Sequence, residues 1–325
     1  MLPLFVRTKG RVVARLIAGL RWRALPYVDA LERWFEQRAP LSVVLGRRFR
    51  RVHGRRLDWR HPRLFSEKLY WIMRYARDPI MTQLADKYAV RDFVAARVGS
   101  MYLNELYAVW NRADDIDFDA LPTTFALKPT HASGMVLFRR EGSALFERGT
   151  RETIARWLRV NHGLRTREWA YVGIPPRIIA ENLLDNDGRD LYDYKFFCFG
   201  GEPLLIQFDA DRFAATGHRR ELFTPRWERT GYRLLYPPPE REPERPKTLD
   251  EMLYVARRLS RGFAFVRVDL YSISGRVVFG EMTWYPEGGW GRFEPAEAET
   301  ALGAALQLPR RGEITHRPVS RATAR

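Results

Sequence analysis

RVDLYSISGRVVFGEMT, residues 267 to 283, reads as two strands joined by a turn at Ser274 and Gly275. Side chains alternate along a strand, so Arg267 and Asp269 share one face, and Glu281 and Thr283 share a face of the partner. Paired across the hairpin, Asp269 and Glu281 bring two carboxylates towards one point, with the guanidinium of Arg267 beside them. Hard oxygen donors from facing strands suit Mg²⁺ bridging nucleotide phosphates. The same pattern also fits a cross-strand ladder of salt bridges on a solvated face, and the residues alone do not choose between the two.

Upstream the pattern repeats. Asp193 to Phe199 reads as a strand, turned by Gly200, Gly201 and Glu202 into a second strand, Pro203 to Asp209. A helix over Glu251 to Leu259 lies between the two hairpins, and the Pro-rich piece 237 to 246 is a surface connection. Further towards the N-terminus, Arg177 to Leu184 and Phe125 to Lys128 read as strands and Arg151 to Val160 as a helix. Ser66, Glu67 and Lys68 form a polar helix start before Leu69, Ile72 and Met73. A helix over Met81 to Val98 would face Leu84, Tyr88, Val90 and Phe93 inward. The class expected is α+β, helices on antiparallel sheets.

Two lysines stand out for phosphate binding. Lys128 ends the apolar run Phe125, Ala126, Leu127 and is followed by PTHASG, a small-residue turn whose N–H groups suit phosphate oxygens. Lys195 shares a strand face with Asp193. Taken singly, such lysines are more often surface residues, but Lys128 emerges from buried structure. His131 in that turn fits phosphate neutralisation or acceptor orientation, and equally a plain loop residue. The single cysteine, Cys198, sits among phenylalanines and reads as packing rather than as a reactive thiol.

With 46% hydrophobic and 13% aromatic residues, the 325-residue chain can bury a large core, which excludes global disorder. Its net charge of +16 belongs to its ends. Residues 1–60 hold 15 Lys and Arg against 4 Asp and Glu, and the tail from Pro309 holds 5 Arg against 1 Glu, so the body between is near neutral at +1. A nucleic-acid footprint would run through the folded body, so no nucleic-acid partner is expected. Basic ends suit an anionic membrane surface or an anionic polymer, or are simply a solvated basic face. Val12, Val13, Leu16, Ile17 and Leu20 line one face of a helix with arginines largely opposite, too short a group for a secretion signal or for a span of roughly 20 residues. That helix fits a membrane interface or docking on the protein's own body. The expected organisation is a basic segment over 1–60, a body over 61–308 and a basic tail over 309–325, with a cytoplasmic location at the inner face of a membrane.

Taken together, LFSEKLYW (64–71), LADKYAVRDFV (84–94), LPTTFALKPTHASG (121–134), RIIAENLL (177–184), DYKFFCFGGEP (193–203), FVRVDLY (265–271) and FGEMTWYPEGG (279–289) resemble, in order and spacing, the TupA-like branch of the ATP-grasp superfamily, found in cell-surface polysaccharide gene clusters. The resemblance implies two α+β lobes enclosing ATP. It implies that Lys87 and Lys128 hold the phosphates under a mobile lid with Ser133 and Gly134. It also implies that Glu181, Asn182 and Leu183 present main chain to adenine and that Asp193 binds ribose. Asp269 and Glu281 then match the Mg²⁺ carboxylates, and Arg267 matches the arginine that steadies developing negative charge. The chain departs from the family pattern at Thr283, where many members have a metal-binding asparagine, and in a lid with one glycine.

The chemistry so implied is carboxylate activation by ATP followed by attack of an amine. The partners would be an anionic sugar or polysaccharide precursor and an amine substrate, with Lys195 and His131 as further catalytic candidates. A sugar or polysaccharide kinase on the same scaffold, leaving a phosphate ester, and a non-catalytic polyanion-binding protein are the competing readings. The second leaves Asp269 and Glu281 without a purpose.

Overall fold

The structure is a computed structural model that describes residues 38–141, 148–185, 191–211 and 217–315. The chain divides into two compact units, residues 1–47 and 48–325. Of the first, the described part begins helix α1 (Leu41–His53). The apolar group at residues 12–20 lies outside the described residues.

In the second unit the described strands form two larger antiparallel sheets and one two-stranded pair. One takes β1 (Leu106–Trp110), β2 (Phe125–Pro129), β3 (Leu137–Arg139) and β4 (Ile178–Glu181) in the order β1-β4-β2-β3. The other takes β5 (Asp193–Phe199), β6 (Glu202–Ala210), β7 (Arg219–Phe223) and, after the short β8 (Arg233–Leu234), β9 (Phe265–Ile273) and β10 (Arg276–Thr283), in the order β10-β9-β5-β6-β7. β8 pairs with β11 (Phe293–Glu294). Both hairpins read from the sequence are present, β5 with β6 and β9 with β10.

Each sheet has its own core. Phe125, Leu127, Ile178 and Ala180 of β2 and β4 pack with Ile116 and with Ile154 of α5 (Arg148–Leu158). Under the second sheet, α7 (Leu249–Ser260) turns Leu249, Met252, Val255, Ala256 and Leu259 inward, the spacing of an apolar helical stripe. β5 is buried throughout, and Phe197 and Phe199 meet Phe65 of α2 (Phe65–Tyr75) at ring-centroid distances of 6.2 and 5.8 Å. A fully buried side chain of this size contributes about 1.5–3 kcal/mol. Cys198 belongs to this core, and burial pushes its thiol up to about 12, so it is inert at neutral pH.

The start of α2 follows the expected polar pattern, with the Glu67 carboxylate reaching back to accept from the Arg63 and Leu64 N–H groups at 2.8 and 3.0 Å. Lys68 instead reaches the end of α8 (Ala296–Ala305), donating to the Gly303 and Leu306 carbonyls at 2.7 Å each.

The single helix expected over Met81 to Val98 is instead two, α3 (Pro79–Ala85) and α4 (Val90–Val98), with a turn between them. The Asp86 carboxylate accepts the Tyr88 N–H at 2.9 Å and the Arg177 guanidinium at 2.5 Å, and the Lys87 N–H donates to the Thr130 carbonyl at 3.2 Å. These side-chain and long-range bonds compete with the helical pattern and break it. Tyr88 is consequently exposed at 37%, where a continuous helix would have buried it.

The basic ends are partly folded into the body. Within residues 48–60, Arg48 and Phe49 are buried and Arg55 pairs with Glu67 at 2.8 Å. In the tail, the Gly312 N–H donates to Tyr75 at 2.8 Å and Ile314 accepts from Ala264 at 2.9 Å. Among the described residues no helix is long and apolar enough to cross a membrane.

Candidate active site

The β9–β10 hairpin places its polar residues as the alternation requires, with Glu281 opposite Asp269 and Thr283 opposite Arg267. Regular pairing would put Gly280 opposite Asp269, but a bulge between Phe279 and Glu281 shifts the register by one. Glycine suits this position, since a Cβ would crowd the Tyr271 ring at 3.0 Å and the Asp269 carbonyl oxygen at 3.1 Å. The bulge is thus what aims Glu281 at Asp269.

Asp269 is the hub of a buried charge cluster. Arg267 grips it with a two-pronged fork, Nε and Nη2 each 2.7 Å from a carboxylate oxygen. Lys195, opposite Asp269 on the neighbouring strand β5, donates to it at 2.9 Å and to Asp193 at 3.1 Å. Burial alone would lower the Lys195 pKa, but the charges of Asp269 and Asp193 outweigh it and the net shift is upward. Arg267 shifts upward for the same reason, Asp269 overcoming its burial. Asp193, expected at ribose, is 4% exposed and spends its carboxylate on Lys195.

Glu281 differs from Asp269 in being open, with 30% of its side chain exposed. It lies 3.6 Å from Arg267 and accepts from the Thr283 hydroxyl at 3.4 Å. From the turn after α3, the Lys87 ammonium stands 3.6 Å from Glu281 and donates to the Ala132 carbonyl at 3.0 Å. Lys128, at the end of β2, pairs with Glu181, which also faces Arg91 at 3.5 Å. Ser133 and Gly134 stand exposed between β2 and β3.

One expected assignment does not fit the geometry. His131 does not line the site. It is 3% exposed, with Nε2 3.2 Å from the Trp157 carbonyl, and burial lowers its pKa, so it packs as a neutral ring and supplies no charge to phosphate. Of the main-chain set expected at adenine, the Asn182 N–H donates to the Glu105 carbonyl at 2.9 Å, and the Asn182 C=O accepts from the Asn104 amide at 2.8 Å and keeps a second lone pair.

Above the hairpin opens a cavity of about 610 Å³ whose walls include Lys195, Arg267, Glu281, Thr283, Ser133 and Gly134. Several wall residues escaped the sequence reading. Arg220 of β7 forks onto Asp209 of β6 at 2.6 and 3.1 Å and reaches Glu287 at 3.0 Å. These bonds, with His218 3.2 Å away, overcome burial and hold the Asp209 carboxyl well below its usual range. Glu287 adopts a left-handed backbone, φ 54° and ψ 23°, which is rare for a residue with a Cβ. Glu168 lines the same cavity, and burial pushes its carboxyl up to about 7. The alternation of Gln207 and Asp209 along β6, in register with Lys195 and Asp193, was a signal for Asp209. Glu168 and Glu287 carried none.

The donors at Asp269, Glu281 and Thr283 are hard oxygens that suit Mg²⁺. Among the described residues no group of three or more His, Cys, Asp or Glu could hold a metal alone. Two carboxylates leave room for phosphate and water ligands, as Mg²⁺ prefers, and Glu281 faces the cavity from which these would come.

A family model described as TupA-like ATPgrasp matches residues 67–307, well over half of the chain. The chain therefore belongs to the TupA-like ATP-grasp family. Among solved structures it resembles the ATP-grasp ligase PsnB complexed with its minimal precursor, Mg and ADP, at 12% identity over 68% of this chain and 58% of that one, TM-score 0.34. It also resembles the D-alanine–D-alanine ligase of Bacillus anthracis complexed with ATP, at 13% identity over 62% and 54%, TM-score 0.35. D-cycloserine synthetase DcsG is similar at 15% identity over 70% of each chain, TM-score 0.36. The chain spans less than two thirds of the length of the first two. No curated protein matches it. Its place in the family rests on the match over residues 67–307 rather than on these distant likenesses.

Proposed function

We propose that this protein is an ATP- and Mg²⁺-dependent carboxylate–amine ligase of cell-surface polysaccharide biosynthesis, joining a sugar acid to an amino group as an amide. The observation that carries the reading is the hairpin cluster. Glu281 lies with Arg267 and Lys195 at the wall of a cavity large enough for small organic substrates, and the facing carboxylate of Asp269 is buried behind them.

Lys87 and Lys128 are the residues that would hold the phosphates of ATP, and Asp269, Glu281 and Thr283 those that would hold Mg²⁺. When bound, Mg²⁺ and ATP supply a phosphoryl group to the substrate carboxylate and neutralise charge on the phosphates. Arg267 is fixed by its fork onto Asp269, so its positive field is set before any substrate arrives and needs no reorganisation when charge develops. Lys195 stays protonated at neutral pH because its two carboxylates raise its pKa, and it adds a second fixed cation at the cavity wall. Binding of both substrates in one cavity aligns amine and activated acid, after which phosphate leaves and the amide remains.

The test is incubation with ATP, Mg²⁺ and a panel of uronic acids and amino acids, scored by mass. A product equal to acid plus amine minus water, with ADP and free phosphate, is expected. A stable phosphate ester formed without any amine would establish a kinase instead. The basic excess of residues 1–60 supports a location at the inner face of an anionic membrane, where each basic side chain near the surface contributes about 1 kcal/mol.

A further inference from the structure

We propose that Tyr236 is the platform on which the ring of the sugar acid stacks, so that the acid substrate is selected as a cyclic sugar and not merely as a carboxylate. The inference rests on the ligase reading above, and it gives a ligand to the β7 side of the cavity, which that reading leaves unassigned.

Tyr236 lines the cavity and is 38% exposed, although β8 ends two residues before it at the buried Leu234. The chain is bent to present it. The Tyr236 N–H donates to the Leu234 carbonyl at 2.7 Å, the bond of a γ-turn, and Leu235 between them has a φ of 64°, a rare and strained conformation for a residue with a Cβ. Leu235 gains no burial from the bend, being itself 56% exposed. Arg220 of β7 fastens the turn on both sides, its guanidinium donating to the Leu234 carbonyl at 3.4 Å and its backbone N–H to the Pro237 carbonyl at 2.9 Å. Pro237, Pro238 and Pro239 then restrict the backbone that leaves it. The ring is backed as firmly as the turn. The Arg220 guanidinium carbon lies 4.8 Å and the His218 ring centroid 3.9 Å from the Tyr236 centroid. Both groups are held by one buried carboxylate, Asp209, which Arg220 grips at 2.6 and 3.1 Å and His218 approaches at 3.2 Å. A shared carboxylate draws both to one side of the ring, which leaves the other side to a ligand.

A rigid aromatic face edged by charged, hydrogen-bonding groups fits a pyranose, whose C–H face packs on the ring while its hydroxyls reach the edge. Glu287 supplies such an edge and ties the platform to the reaction centre, since the same carboxylate oxygen is 3.0 Å from Arg220 and 4.0 Å from Arg267. A ring on Tyr236 therefore lies within one sugar residue of the guanidinium that would receive the reacting carboxyl group. Adenine, the other ring in this reaction, is expected at Glu181 and Leu183, and neither lines this cavity. β7 is also the edge of the second sheet opposite β10, whose Glu281 faces Lys87. Trp290, likewise exposed at the wall, is the competing platform; Arg48 packs 5.3 Å from its centroid and donates to the Thr166 carbonyl of helix α6 (His162–Thr166) at 2.6 Å.

The experiment compares acids, with hydroxylamine in place of the amine to trap the activated carboxyl group as a hydroxamate. KM is measured for glucuronic and galacturonic acids, which are cyclic, for gluconic and galactonic acids, which carry similar hydroxyls on an open chain, and for ATP. The proteins are wild type, Tyr236→Leu, Tyr236→Phe and Trp290→Leu. The wild type should prefer the cyclic acids. Tyr236→Leu should raise their KM at least about tenfold, equivalent to about 1.4 kcal/mol, and leave the values for open-chain acids and ATP unchanged. Tyr236→Phe, which keeps the ring face, should restore most of the loss. Tyr236 is exposed, so its variants should melt like wild type. The inference is overturned, and the ligase reading left intact, by an unchanged KM for cyclic acids in Tyr236→Leu, by a rise in the KM for ATP instead, or by a larger rise in Trp290→Leu. Equal use of cyclic and open-chain acids by the wild type, a result that needs no variant, does the same. Failure of the wild type to form a hydroxamate with any acid overturns both.

Discussion

Asp269 and Glu281 face each other across one hairpin, yet their removal should have different consequences. Asp269 is 2% exposed and accepts two bonds from Arg267 at 2.7 Å and one from Lys195 at 2.9 Å. Asp269→Ala leaves two buried cations short of their main counter-charge. Lys195 keeps Asp193 at 3.1 Å, and Arg267 keeps the Thr283 hydroxyl at 3.4 Å and the longer contacts to Glu281 at 3.6 Å and Glu287 at 4.0 Å. Breaking a buried pair costs about 3–5 kcal/mol, and the surviving contacts place this variant towards the lower end. Glu281 is about a third exposed and faces Lys87 and Arg267 at 3.6 Å, so Glu281→Gln should cost about 1 kcal/mol or less. Urea denaturation and phosphate release measured side by side separate the two. Asp269→Ala should lose both stability and turnover, whereas Glu281→Gln should lose turnover and keep its fold. Equal denaturation midpoints for the two variants would refute the buried-hub reasoning. Wild-type turnover in Glu281→Gln would remove Glu281 from the metal set.

Other perturbations bear on separate parts of the molecule. Lys128→Met keeps the stem and deletes the charge beside Glu181, and should weaken ATP binding roughly 10- to 100-fold, the range for a charged hydrogen bond; full affinity by calorimetry would remove Lys128 from the site. Glu168 has its carboxyl raised from 4.5 to about 7 by burial, so between those pH values the folded state holds more protons than the unfolded one and stability falls as pH rises, by up to about 3 kcal/mol. Glu168→Gln should remove that loss, and the difference between variant and wild type isolates it from His53 and His162, whose pKa values, lowered to about 4 by burial, slope stability the other way; parallel pH profiles of the two proteins would count against the buried carboxyl. Removing residues 1–37 should release the protein from anionic vesicles while ATP binding persists, and intact protein should bind less as the screening length shortens from about 10 Å at 0.1 M salt to about 3 Å at 1 M. Equal vesicle binding by both forms would refute the membrane role of that segment.

What could be read in advance was local. The β9–β10 hairpin places Arg267, Asp269, Glu281 and Thr283 by alternation alone, and the β5–β6 hairpin does the same for Lys195. The turn that presents Lys87 was not legible, because its helix-breaking bonds run from Asp86 to Arg177 and from Lys87 to Thr130, far apart in sequence. Arg220 and Glu287 were invisible for the same reason, since only the folded sheet brings β7 against the turn after β10. His131 shows the converse, a residue type with catalytic reputation that tertiary packing places against a backbone carbonyl.

The Lys87 turn has a mechanical consequence. Its backbone is fastened to the first sheet, through Thr130 beyond the end of β2 and through the Asp86–Arg177 pair next to β4, while its ammonium reaches Glu281 on the second sheet. The 3.6 Å separation of Lys87 and Glu281 is therefore a gauge of the aperture between the sheets, and any hinge that parts them must first lengthen that span. A pair of spectroscopic labels would report the aperture from surface positions near these two residues, with the ion pair itself left intact.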